Sequence, residues 1–428
     1  DEQFMADDAS LMPLSGGPPG QPLVALRQRP ASVEVLVIGD DGRAEVLREV
    51  AGVLVDFSQT VVDAAGLRIV PGGGPPLFFF TERLVDGRWV LAVQRGGLTQ
   101  VGAQGVTTSP IEHLTWLELP SGQTLLEVPV PAGAEAVVLP ARGVLLREAG
   151  RQRWFEVGAA GPRALADAAE GELFAEGDAV FRLTPAPGRL RLDRLDGSAF
   201  QHGPAVELSE SFLLRQRFAE DGTIGALGVE PSGRVVLVRF DRVTLAARVE
   251  GLPGASEALG AEVSKLFPRI GRGCAGVPGA AVVTLQEGGL RVIRATARGL
   301  TAEDVATPLG RHSAIQAACV APAGWWLTVS EGSALRLLRG SAAGVEALPL
   351  GGNTSLRAAG RFAVRSASDG VRRRVDVIDA LSSLAPRPSP FRIPGVVPFD
   401  VRDGWMLGWV PTPLGPAWVR VRAPGEAP

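Results

Sequence analysis

Three histidines, two cysteines and eight tryptophans hold the widest chemical repertoire in this 428-residue chain, and their spacing limits what they can do. His113, His202 and His312 stand alone, without the HxH or HxxxH pairing that brings two imidazoles to one metal, so each reads as a surface or loop residue. Cys274 and Cys319 lie 45 residues apart with no CxxC beside them, which excludes a zinc site of ordinary spacing. Two readings of the pair stay open: a disulfide, or two compact buried thiols. The sequence contains no Gly-x-Ser-x-Gly elbow, phosphate-cradling loop, calcium loop or repeated Asp-box. No catalytic residue, metal ligand or cofactor site is therefore assigned from local motifs. Tyrosine is absent, which removes one common acid/base and nucleophile.

The elements that must position these residues announce themselves through turns. Gly42-Arg43, Gly87-Arg88, Gly150-Arg151, Gly188-Arg189 and Gly233-Arg234 each separate two apolar runs of strand length, and Gly289, Gly332, Gly370 and Gly415 continue the pattern. Each unit reads as strand, glycine turn, strand, because glycine accepts the positive φ that tight hairpins need. Successive turn glycines are 38 to 63 residues apart, about the length of a four-stranded blade. The expected fold is all-β: one β-propeller of about eight blades, with seven to nine fitting the spacing, and each named glycine joining the two middle strands of a blade.

Two intervals are long. Between Gly87 and Gly150 the run LTWLELPSGQTLLEVPV, residues 114–130, reads as an added hairpin, and before Gly289 the Ser256–Phe267 segment reads as an inserted helix. In that segment Leu259, Val263, Leu266 and Phe267 share one helical face behind a Ser256 cap. The C-terminal run AWVRVRAP and the early run LVALRQR are expected to pair and close the ring, which would remove the exposed sheet edge. Cys274 and Cys319 then occupy equivalent places in neighbouring blades, and His312, next to Arg311, could face the axial channel. The chain divides into a flexible tether at 1–22, rich in Pro, Gly and acidic residues, and a propeller domain at 23–428.

Composition narrows the partners. Hydrophobic residues make up 46% of the chain and charged residues 21%, enough apolar material for a large core. The formal net charge is −3 with basic residues scattered among acids, so the field that holds a nucleic-acid backbone is missing. No apolar run reaches the ~18 residues of a spanning helix. Asp1 at the start suggests a processed precursor, with truncation as the alternative, and the acidic leader suits an exported protein or lipoprotein. Trp325-Trp326 should point to opposite faces of one strand, with core packing or a binding anchor as their two readings. Arg372-Arg373-Arg374 reads as a solvated edge or as a contact for an acidic partner.

Two segments, Val238–Leu245 and Val375–Leu381, resemble the strand endings with a D-x-x-T/L turn found in quinoprotein-type and surface-repeat propellers. That resemblance implies a propeller and assigns no catalytic residue. The combined expectation is a non-catalytic, exported propeller acting as a protein-interaction or assembly subunit, in the bacterial periplasm, at the outer membrane or outside the cell. Its candidate contacts are Trp116, Ser256, Lys265, Trp325 and Trp326, with a protein partner and at most an N-terminal membrane anchor. The alternative is a propeller enzyme with an axial-funnel site for a sugar or lactone, which would gather carboxylates, His or Arg at one mouth of the channel.

Overall fold

In the computed structural model the described residues are 3–7, 11–15, 23–38, 44–54, 60–63, 66–69, 75–84, 86–97, 99–102, 105–148, 150–166, 171–220, 222–230, 234–252, 279–284, 289–296, 299–306, 314–321, 324–331, 334–341, 344–350, 354–359, 362–368, 373–388, 397–402, 405–412 and 415–422. Among them the regular structure is entirely strand, arranged as antiparallel meanders in chain order. The first sheet takes Leu11–Ser15, Leu23–Gln28, Ser32–Ile38 and Ala44–Ala51. The second takes Pro76–Arg83, Trp89–Gly96, Ile111–Leu119 and Thr124–Pro129, with Val53–Leu54 added in parallel at its edge. The third runs from Glu135 to Leu165, the fourth from Glu172 to His202 and the fifth from Leu213 to Leu252. The sixth shows three strands between Gly279 and Val305. The seventh spans Ala314–Leu350 and the eighth Thr354–Pro388. The ninth joins Val397–Arg402, Trp405–Thr412 and Gly415–Arg422 to the N-terminal strand Gln3–Asp7.

Alternation along each strand explains how these sheets stack. Leu145 and Trp154 pack with Leu173, Val180 and Phe200 of the fourth sheet, whereas Val144 and Leu146 pack with Val90, Trp116 and Val128 of the second. Neighbouring residues on a strand face opposite sides, so the second to seventh sheets are apolar on both faces and bury each against a different neighbour. Mixed clusters of this kind join every consecutive pair from the first sheet to the eighth. Trp325 and Trp326 show the rule: Trp325 packs towards the sixth sheet and Trp326 towards the eighth, and both are buried.

Several sequence expectations change. Gly150, Gly188 and Gly415 do lie between the middle strands of a sheet, whereas Gly289 falls between the first two of the three strands described in the sixth, and Gly87 joins the first two strands of the second sheet. Gly42 lies outside the described residues, between Ser32–Ile38 and the edge strand Ala44–Ala51. A tight turn calls for glycine in any of the three hairpins of a meander, so the signal marks a hairpin without saying which one. Residues 114–130 are accordingly no insertion, since they supply the third and fourth strands of the second sheet. The added element is instead a small sheet of Thr60–Asp63, Gly66–Ile69, Thr99–Gly102 and Gly105–Thr108. Leu23–Gln28 pairs with Leu11–Ser15 and Ser32–Ile38, so the partner of the C-terminal strand is Gln3–Asp7, not LVALRQR. Both Gln3–Asp7 and Leu11–Ser15 fall within the segment read as a tether. The Ser256–Phe267 segment lies outside the described residues.

Candidate functional site

The end of the molecule that carries the turns between first and second strands, and between third and fourth, is lined by turns fixed through side-chain hydrogen bonds. At the second sheet, Asp86 Oδ1 accepts from the Arg88 amide at 3.1 Å, and Arg88 spans to Glu118 at 3.0 Å, which also accepts from Ser121 Oγ at 2.8 Å. These donors hold the Asp86 and Glu118 carboxyls below their ordinary range, with Arg88 the first cause at Asp86 and Ser121 the first at Glu118. A cleft of about 280 Å³ opens beside them, lined by Asp86, Arg88, Ala141, Arg142 and Glu156 from the second and third sheets. Arg142 donates onward to the Asp178 carbonyl in the fourth sheet. From the fifth sheet, Arg242 donates to the Glu176 carbonyl at 2.7 Å.

The fifth-sheet turn continues this face. Asp241 Oδ1 accepts from the Val243 amide at 3.0 Å, the Thr244 amide at 2.7 Å and the Thr244 hydroxyl at 2.9 Å. The D-x-x-T segment singled out in the sequence is thus an aspartate-capped turn. It also forces Leu245 to φ 61° while burying its side chain to 1% exposure. Val243 projects at the tip and is 70% exposed. A polar cleft and an apolar tip therefore share one face, carried on turns whose conformation is fixed.

The anchor candidates lie elsewhere. Trp116, Trp325 and Trp326 are all buried, and Trp116 donates its indole N–H to the Pro140 carbonyl at 2.8 Å. They bind neighbouring sheets together and present no face to a partner. The corrected reading follows from stacking on both sides, which buries both members of an adjacent aromatic pair. Ser256, Lys265, Cys274 and His312 lie outside the described residues, as does Arg372. Cys319 is buried between the seventh and eighth sheets and is disulfide-bonded.

The two remaining histidines are not alone in space. His113 meets Glu127 at 3.2 Å and Thr115 at 3.3 Å, beside a cleft of about 170 Å³ that also takes Arg48, Glu49 and Arg95. His202 Nδ1 lies 3.1 Å from Asp193 Oδ1, and Asp193 also accepts from Arg182 at 2.8 Å. Apart from His113 and Thr115, two residues apart on one strand, these contacts are cross-strand, 9 to 14 residues apart, and form no recognised motif. Register could have found one: Arg182 and Asp193 are direct partners across a hairpin centred on Gly188. Among the described residues no group of three His, Cys, Asp or Glu is arranged to hold a metal.

No family model matches the chain, and no curated protein matches it. Solved structures do resemble it. The crystal structure of BamB from Moraxella catarrhalis is 11% identical, covers 98% of each chain and has a TM-score of 0.34. The WD40 domain of SCAP from fission yeast is 10% identical over 80% of this chain and 98% of its own, with a TM-score of 0.40. A eukaryotic initiation factor is 9% identical over 90% of this chain and 88% of its own, with a TM-score of 0.43. Likenesses at this level carry no argument about function. The chain's own topology carries the fold: four-stranded antiparallel meanders, stacked face to face in chain order, are the blades of a β-propeller repeat protein.

Proposed function

We propose that this chain is an exported propeller that works as a protein-interaction subunit, binding its partner through the turn-lined face from the Arg88–Arg142 cleft to Val243. The observation that carries the reading is Val243: a large apolar side chain, 70% exposed, at the tip of a turn that Asp241 holds in one conformation. A rigid apolar tip on the same face as a charged cleft loses little entropy on docking, which favours binding. Export is supported by the disulfide at Cys319, because such bonds persist in oxidising compartments. In this reading Cys319 pairs with Cys274, the nine sheets close into one ring, and the ninth sheet is the closing blade. The setting is the bacterial periplasm, the outer membrane or the medium.

Affinity purification of the tagged chain from its native cells tests the contact face. Val243→Asp should abolish recovery of the partner, whereas Val249→Asp, on the outer strand Ala247–Leu252, should leave it intact. Equal recovery with both variants would reject this face.

A further inference from the structure

The interface between the third and fourth sheets differs along its length. Towards the turn that carries Arg142 it is apolar, with Leu139, Leu145 and Trp154 against Val180 and Phe200, while Leu165 and Leu173 lie at the depth of Gln152 and Arg182. Towards the opposite end, strand alternation places Glu135, Arg147 and Gln152 on the same face as Val137, Leu145 and Trp154. It also places Arg182, Asp193 and His202 on the same face as Val180, Leu195 and Phe200. The other face of the fourth sheet carries Leu183, Leu190 and Leu192 at this depth, packed on the fifth sheet, where Glu172 meets Arg217 at 3.4 Å, one charge against one.

Charge and hydrogen bonding in this polar half are unbalanced. Asp193 is fully buried and saturated: Arg182 reaches it at 3.0 and 2.8 Å, Arg191 at 2.8 Å and His202 at 3.1 Å. Arg147 spends only Nη1 on Glu135, at 3.2 and 3.3 Å. Its Nε and Nη2 are buried with no hydrogen-bond partner, and together they form one edge of the guanidinium, a two-donor fork. Directly across the register is Gln152, 5% exposed, whose Oε1 also has no partner. Three arginines thus face two carboxylates, Asp193 and Glu135, and a buried fork lacks its acceptor beside a buried acceptor that lacks its donor.

We propose that this interface binds a small hydroxycarboxylate: the two carboxylate oxygens occupy the Arg147 fork, and the neighbouring hydroxyl donates to Gln152 Oε1. A planar oxyanion matches the fork in bidentate geometry, and the excess positive charge favours an anion. This site is separate from the turn-lined face, so the two readings stand or fall independently.

Calorimetric titration of the full chain at low salt with lactate, acetate and inorganic phosphate tests it. Lactate should bind saturably and more tightly than either of the others, and the Arg147 Nε–H resonance should shift on its addition. Arg147→Lys keeps the charge and removes the fork, and should weaken lactate at least tenfold. Gln152→Leu should abolish the preference of lactate over acetate, and Val243→Asp should leave lactate binding unchanged. Absence of saturable lactate binding to the unaltered chain, phosphate binding more tightly than lactate, or full affinity in Arg147→Lys would each overturn the assignment.

Discussion

At the scale of single residues, magnitudes decide between opposing effects. Leu245 sits in the left-handed region, which costs a non-glycine residue about 1–2 kcal/mol. Its side chain is nevertheless buried in the core between the fourth and fifth sheets, and removing a buried leucine costs about 2–5 kcal/mol. Burial wins, so Leu245→Gly should destabilise the fold by about 1–3 kcal/mol in chemical denaturation despite the relaxed backbone. Asp241 gives a pH prediction. The Thr244 amide and hydroxyl, then the Val243 amide, hold its carboxyl below the ordinary value near ~3.9. A folded pKa lower than the unfolded one means that stabilisation is present above that ordinary value and disappears as pH falls through the folded value. Asp241→Asn should flatten this part of the acid limb of the stability profile: its loss relative to the unaltered chain is largest and constant in the neutral region and shrinks as pH falls through the folded value. Asp193 belongs to a different regime: Asp193→Ala strands buried Arg182 beside Phe200 and should cost about 3–5 kcal/mol.

At the scale of elements, a device recurs that sequence reading missed. Arg239 stands on the third strand of the fifth sheet, Arg294 on the second of the three strands described in the sixth and Arg339 on the third strand of the seventh, each paired with an outer-strand glutamate: Glu250, Glu303 and Glu346. Each also donates to a carbonyl of the next sheet, that of Thr296, Ala321 or Leu381 respectively. The shared signal is an arginine two residues before Asp241, Thr296 or Ser341, short enough to pass unnoticed in an arginine-rich chain. Arg294→Met should therefore cost about 1–3 kcal/mol by removing a largely buried charged donor from a carbonyl. Combined with Arg339→Met, the losses should add to within about 0.5 kcal/mol, because the two guanidiniums share no partner. Equilibrium denaturation of the single and double variants measures both. Strand content was legible from glycine turns and apolar runs, as Gly150 and Gly188 show. The placement of a hairpin within its sheet was not, because Gly87 satisfies the same local rule in the first hairpin of the second sheet. The burial of Trp325 was half legible: alternation gave its direction, but its ring lies against Gly340, where an added Cβ would come within 2.1 Å, and only the fold reveals that partner.

At the scale of the whole molecule, the candidate face draws on sheets two to five, so no single segment could have disclosed it. The same distance in sequence governs the proposed Cys274–Cys319 bond. Thiol labelling of the denatured, unreduced chain should find no reactive cysteine, and reduction should lower the thermal midpoint; two labelled thiols before reduction would refute the pairing. The pairing of Gln3–Asp7 with the C-terminal strand gives another expectation. Deleting residues 1–8 should lower the melting temperature, since it strips one strand from the ninth sheet and leaves the edge of Gly415–Arg422 open. This pairing also sets a timetable for biosynthesis. Every other strand of the described sheets finds its partners within a few dozen residues, except the first, whose partner is made last. At roughly 5–20 residues per second, Gln3–Asp7 waits on the order of 20–80 s for Ala417–Arg420 to emerge. During that interval Gln3–Asp7 is unpaired, and its backbone N–H and C=O groups are open to any other extended chain. A nascent-chain chaperone that holds the first residues, or a circular permutant that places Gln3–Asp7 directly after Arg422, should raise the yield of folded protein without changing its final structure.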